Sequence, residues 1–122
     1  MSLQSILAPH LATFRDTAKD FDIERSLSFY TQDALMINIV GKTVQQGHKE
    51  LHEVFTECSK NSDWKPSYSE EEFIGGDELI KYSFLCTLHK DGKEMMKLYC
   101  VQYWRKQADS SFKIELETYS YS

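Results

Sequence analysis

Along the first half of the chain, apolar residues return every three or four positions. Leu3, Leu7, Leu11, Phe14, Ala18 and Phe21 form one such stripe, the mark of a helix that buries one face. Ser2 or Ser5 stands where an N-cap belongs, and Pro9 fits only near the first turn or at a kink. Asp22 is placed to cap a short second helix, Ile23 to Tyr30, with Glu24 in its first turn. A strand follows, Ala34 to Val40, which Gly41-Lys42 turns into a shorter strand, Thr43 to Gln46. Gly47 opens a third helix, His48 to Lys60, with Leu51, Val54, Phe55 and Cys58 on one face, and Asn61-Ser62-Asp63 ends it.

From Lys65 the period changes to two. Tyr68 to Ile74, Glu78 to His89, Glu94 to Lys106 and Phe112 to Tyr121 read as strands, separated by Gly75-Gly76-Asp77, Asp91-Gly92 and Asp109-Ser110-Ser111. Helices followed by an antiparallel strand meander define an α+β domain, residues 1–122.

Asp91-Gly92 is a two-residue hairpin signal and fixes a register. Counting back from it pairs Leu88 with Met95, Phe84 with Tyr99, Tyr82 with Val101 and Ile80 with Tyr103. The other face then pairs Leu85 with Leu98, Ser83 with Cys100, Lys81 with Gln102 and Leu79 with Trp104. One helical layer covers one face of a sheet, so a second apolar face calls for a partner. The expectation is a homodimer through Tyr82, Phe84, Tyr99 and Tyr103, with the other face lining a pocket beneath the helices. The same register puts Cys86 and Cys100 on opposite faces, where they cannot pair, and Lys81 toward the pocket.

Composition narrows the function classes. A net charge of -5 and a pI near 5.3 oppose binding to nucleic acid or to an anionic membrane surface. The first residues carry neither a basic segment nor a long apolar core, so a secretory signal is not expected. The three cysteines contain no CxxC pair and read as reduced, mostly buried thiols of a cytoplasmic protein.

The stretches F-x-x-x-A-K-D-F-D from Phe14, L-x-F-Y-T-Q-D-A from Leu27, GKTVQQGHKEL from Gly41 and FKIELETYS from Phe112 occur in a telling order. In this the chain resembles the nuclear transport factor 2-like superfamily, in its ketosteroid-isomerase and SnoaL-like branch. The resemblance implies a curved antiparallel sheet wrapped around the N-terminal helices, forming a cone with a deep, mostly apolar pocket. It also implies the positions of the isomerase machinery. The base position is Asn38, the oxyanion-donor tyrosine position is Phe14, the protonated-aspartate position is Gln102 and a supporting tyrosine position is Phe55. An amide accepts no proton and a phenyl ring donates none. Isomerase chemistry is therefore not expected.

The expected role is the binding of a small apolar ligand, with no catalytic residue, cofactor or metal. The lining would be Phe14, Tyr30, Met36, Asn38, Phe55, Leu85, Leu98, Cys100, Gln102 and Trp104. An enzyme of another kind would have to work through Lys81, Tyr30 and Asn38, and a protein-interaction module would use surface patches instead. His48 and His52 share a helix face at metal-ligand spacing but lack a third ligand and the HExxH order. Glu70, Glu71 and Glu72 read as a solvated sheet edge, and Met95 and Met96 as packing or pocket-mouth residues.

Overall fold

A computed structural model describes residues 2–121. Helix α1 (Leu3–Lys19) is capped by Ser2, whose hydroxyl accepts from the Ser5 N–H, and it buries Leu7 and Leu11. Pro9 lies inside it and leaves it unbroken. Helix α2 (Ile23–Leu27) is capped by Asp22 as expected, but it stops short because Phe29 and Tyr30 turn into the sheet. Strand β1 therefore starts at Tyr30 and runs to Asn38, and a hairpin turn leads to β2 (Thr43–Gln46). Helix α3 (Gly47–Cys58) and one 3-10 turn, Ser59–Asn61, precede β3 (Lys65–Gly75), β4 (Leu79–Lys90), β5 (Lys93–Lys106) and β6 (Phe112–Tyr121).

The six strands form one sheet in the order β2-β1-β6-β5-β4-β3. It is mixed, not wholly antiparallel. The last strand returns to lie parallel to β1, while the other four pairings are antiparallel. The helices cover one face, and there Leu7, Leu51, Tyr30, Met36, Ile80, Tyr82, Trp104 and Ile114 are at most 2% exposed.

Three bulges set which side chains reach that face. Asp91 and Gly92 both have positive φ, as the tight hairpin requires. The register counted from it holds for Lys90 with Lys93 and His89 with Glu94. Met95 is then an extra residue, Leu88 pairs with Met96, and every later pair is shifted by one. A one-residue shift moves one strand's side chains relative to the other strand's count. Phe84 consequently pairs with Cys100, Tyr82 with Gln102 and Ile80 with Trp104.

This corrects several expectations. Tyr82 and Phe84 lie in the core, 1% and 6% exposed, and cannot form a dimer face. Leu85 and Lys81 belong to the uncovered face, opposite Tyr99 and Tyr103. Cys86 and Cys100 lie on the same, helix-covered face, both buried and unbonded.

In β3, Glu70 and Glu71 together oppose Phe84, with Glu70 at φ 52°. That bulge points the Glu71 carboxylate toward Tyr82 and Arg15, while Glu70, Glu71 and Glu72 all stay exposed on the edge strand, as expected. Glu71 accepts from the buried Tyr82 hydroxyl and pairs with Arg15 of α1 at 3.2 Å. Arg15 also bonds Tyr82 Oη and lies 4.0 Å above the Tyr68 ring, which ties α1 to β3 and β4.

Candidate functional site

The third bulge builds the site. Tyr103 pairs with Leu116 and Trp104 with Ile114, which leaves Glu115 as the extra residue of β6. Simple alternation from Phe112 and Ile114 would place Leu116 and Thr118 inside. The bulge places Glu117 and Tyr119 there instead, beside Gln102 and Cys100.

Half-buried Glu117 heads a polar chain that runs into the core. Tyr30 Oη donates to Glu117 Oε1 at 2.7 Å, and Gln102 Nε2 donates to the same oxygen at 2.9 Å. Gln102 Oε1 in turn accepts from Trp104 Nε1 at 3.0 Å. Burial pushes the Glu117 carboxyl above its ordinary value, against the stabilising bonds from Tyr30 and Gln102. Burial and the nearby Glu117 charge push the Tyr30 phenol up as well. Sequence reading missed Glu117, and a run of alternating residues gives no sign of where a bulge falls.

The aromatic residues close around this chain. Phe14 meets Tyr30 and Trp104 edge-on at 6.0 and 5.8 Å, and Tyr30 meets Phe55 at 5.5 Å. Above them, between the helices, lies an apolar slot of about 140 Å³ lined by Phe14, Ala18, Phe21, Ile23, Ser26, Phe55 and Cys58. Of the residues expected to line a pocket, Phe14 and Phe55 line the slot. Met36, Gln102 and Trp104 are packed at 2% exposure or less, and Tyr30 forms the layer beneath. Cys100 is buried, Leu98 is partly buried against the core, and Leu85 is on the far side of the sheet.

Asn38 has a local task. Its Oδ1 accepts the Gly41 N–H at 2.9 Å and so holds the β1–β2 turn. A Cβ at position 41 would sit 2.8 Å from Asn38 Nδ2 and would push the Asn38 amide aside. The amide lies at the end of the helix-covered face, beside Tyr119, and is only partly buried.

The histidine pair is also committed. His48 Nε2 contacts the Tyr30 carbonyl oxygen at 3.0 Å, and His52 Nε2 is 3.4 Å from Glu24. Among the described residues no group of three or more His, Cys, Asp or Glu side chains stands ready to hold a metal. Lys81 is on the uncovered face and takes no part in the site. No helix among the described residues is long and apolar enough to cross a membrane.

No protein-family model matches the sequence, and no curated protein matches it. Solved structures do. A protein of unknown function with a cystatin-like fold from Nostoc punctiforme superposes with a TM-score of 0.84 at 15% identity, over 100% of this chain and 93% of that one. Yeast UBP3-associated protein BRE5 gives 0.85 at 14% identity, over 100% and 98%. A ketosteroid isomerase-like protein from Erwinia carotovora atroseptica gives 0.77 at 16%, over 96% and 94%. At such identities the likeness is one of fold. The chain has the nuclear transport factor 2-like, cystatin-like fold, as its motifs had led us to expect.

Proposed function

We propose that this chain is a binding domain without isomerase chemistry, which holds a small apolar molecule in the slot between α1, α2 and α3. The observation that carries the reading is the slot itself, partly open and walled almost wholly by apolar side chains. Its volume of about 140 Å³ matches a single ring or the end of an aliphatic chain, not a steroid. The isomerase positions support the same reading. Asn38 is spent on the Gly41 turn, and Phe14 has no proton to give. The test is titration with toluene, followed by NMR, on the wild type and on Ala18→Phe, which fills the slot. Binding is expected to the wild type and to be lost in the folded variant. Equal binding to both, or to neither, overturns the reading.

A second reading concerns the uncovered sheet face. Leu35, Ile37, Leu85, Val101, Tyr103 and Leu116 share it with Tyr99, which is 45% exposed. An apolar face of this kind favours association, and we assign it to a homodimer. Tyr99 and Tyr103 keep the role expected from the sequence, with Leu85 and Val101 beside them in place of Tyr82 and Phe84.

A further inference from the structure

One wall of the slot is a hydroxyl that the fold leaves without a task, that of Ser26. Helix α2 carries Ile23 and Ser26 three residues apart, on one face, and both line the slot. Ser26 is only 8% exposed, and its N–H is satisfied by the Asp22 carbonyl at 2.9 Å. The side-chain hydrogen bonds in and beside α2 run from the Arg25 N–H to Asp22 Oδ1 and from Ser28 Oγ to the Arg25 carbonyl. Ser26 Oγ has none among the described residues.

The other helical hydroxyls of this chain behave differently. Thr13, Thr17 and Thr56 each donate to the carbonyl four residues back, and Ser28 and Ser59 to the one three back. A helical hydroxyl takes this local bond when nothing else is offered. Thr17, which is fully buried, satisfies itself in this way. A buried hydroxyl that makes no bond costs stability, and such groups are few in folded proteins. The Ser26 oxygen is not sealed off either. Gln45 Oε1 is buried away from open space without a partner, and Ser26 Oγ does not share that state. The open space that Ser26 borders is the slot.

The walls also say what kind of polar group fits. None of them carries a charge. A carboxylate, phosphate or ammonium on the ligand would lose its water with nothing to replace it. Glu117 is close enough for its charge to help raise the pKa of the Cys58 thiol, another slot wall, and this opposes an anion further. Serine offers one donor and two acceptor positions. A ligand hydroxyl matches it in either sense, whereas a carbonyl matches it in one only.

We propose that Ser26 Oγ is the polar contact of the slot, and that the ligand is a neutral single-ring molecule of the phenol kind, bearing one hydroxyl. This rests on the slot reading and deepens it. The ring packs among Phe14, Phe21 and Phe55, and its hydroxyl exchanges a hydrogen bond with Ser26.

The test compares two probes of one shape, toluene and phenol, by NMR titration of the wild type and of Ser26→Ala. Phenol is neutral at pH 7, as a tyrosine side chain is. In Ser26→Ala phenol binding is expected to weaken about three- to tenfold, the worth of one hydrogen bond, while toluene binding changes less than about twofold. An arm that needs no variant reads the orientation of phenol bound to the wild type. Nuclear Overhauser contacts to the Ser26 Hβ protons are expected to be stronger from the ortho protons of the ring than from the para proton. Phenol silent beside bound toluene, two probes that respond alike to Ser26→Ala, or a para proton nearest Ser26 each overturn the contact and leave the slot reading standing. Phenol binding that depends on Ser26, with toluene silent, supports the contact and overturns the purely apolar slot. Binding of neither overturns both.

Discussion

Tyr30 donates its phenolic proton to Glu117 at 2.7 Å, joining the first strand to the last across 87 positions of chain. The bond exists because β6 returns parallel to β1 and because Glu115 bulges out of register. It brings a carboxylate to the helix-covered face, where β1 itself offers the Asn38 amide.

Glu117 leaves a sign in the pH dependence of stability. Its pKa is raised in the folded state, so the folded protein binds that proton more tightly than the unfolded chain does. The resulting stabilisation is full below the ordinary glutamate pKa and is lost as pH rises through the folded value. In urea unfolding, Glu117→Gln is therefore expected to gain on the wild type as pH rises across that window. A difference that stays constant with pH contradicts the assignment.

The shifted register of β4 and β5 separates two neighbours. Phe84→Ala removes a core ring and is expected to cost about 3–5 kcal/mol. Lys81→Ala, on the uncovered face, is expected to stay within about 0.5 kcal/mol. Chemical denaturation of both variants checks the pair. A small loss at Phe84 beside a large one at Lys81 would restore the register counted straight from the hairpin.

That register shows where sequence reading stopped. Helices α1 and α3, the Asp22 cap, the Asp91-Gly92 turn and the inward Phe14, Gln102 and Trp104 were legible, because period and turn chemistry are local. Tyr82, Phe84, Leu85 and Lys81 were misplaced by one bulged residue, Met95. The bonds of Glu71 to Tyr82 and Arg15, and Glu117 itself, were missed through bulges at Glu70 and Glu115. A bulge changes which face every later residue takes, yet it needs no glycine or proline to mark it. The parallel return of β6 was hidden too, since no long crossover helix announces it.

The uncovered face is expected to hold two copies together. Val101→Lys and Tyr103→Lys put charge into that face without touching the core. Light scattering after size exclusion is expected to show a dimer for the wild type and a monomer for each variant. A monomeric wild type at tens of micromolar sinks the homodimer reading.

The three thiols are expected to differ in reactivity. Cys58 is exposed, whereas Cys86 and Cys100 are buried with pKa values pushed up, to about 11 for Cys86. A chromogenic disulfide reagent is expected to titrate one thiol in the native protein and three after denaturation. Cys58 is expected to react more slowly than a free cysteine near pH 8, because partial desolvation of its thiol against the slot and the nearby Glu117 charge lower its thiolate fraction. Three fast native thiols would contradict the inward placement of Cys86 and Cys100.

The claim on which the site depends is that Glu117 lies in the interior beside Tyr30 and Gln102. Carbon-detected NMR titration of the glutamate side-chain carboxyls reads it directly, with Glu117 assigned by the signal missing in Glu117→Gln. The expected result is a Glu117 carboxyl that titrates clearly above the ordinary glutamate value. A Glu117 carboxyl that titrates at the ordinary value, like a surface side chain, contradicts it.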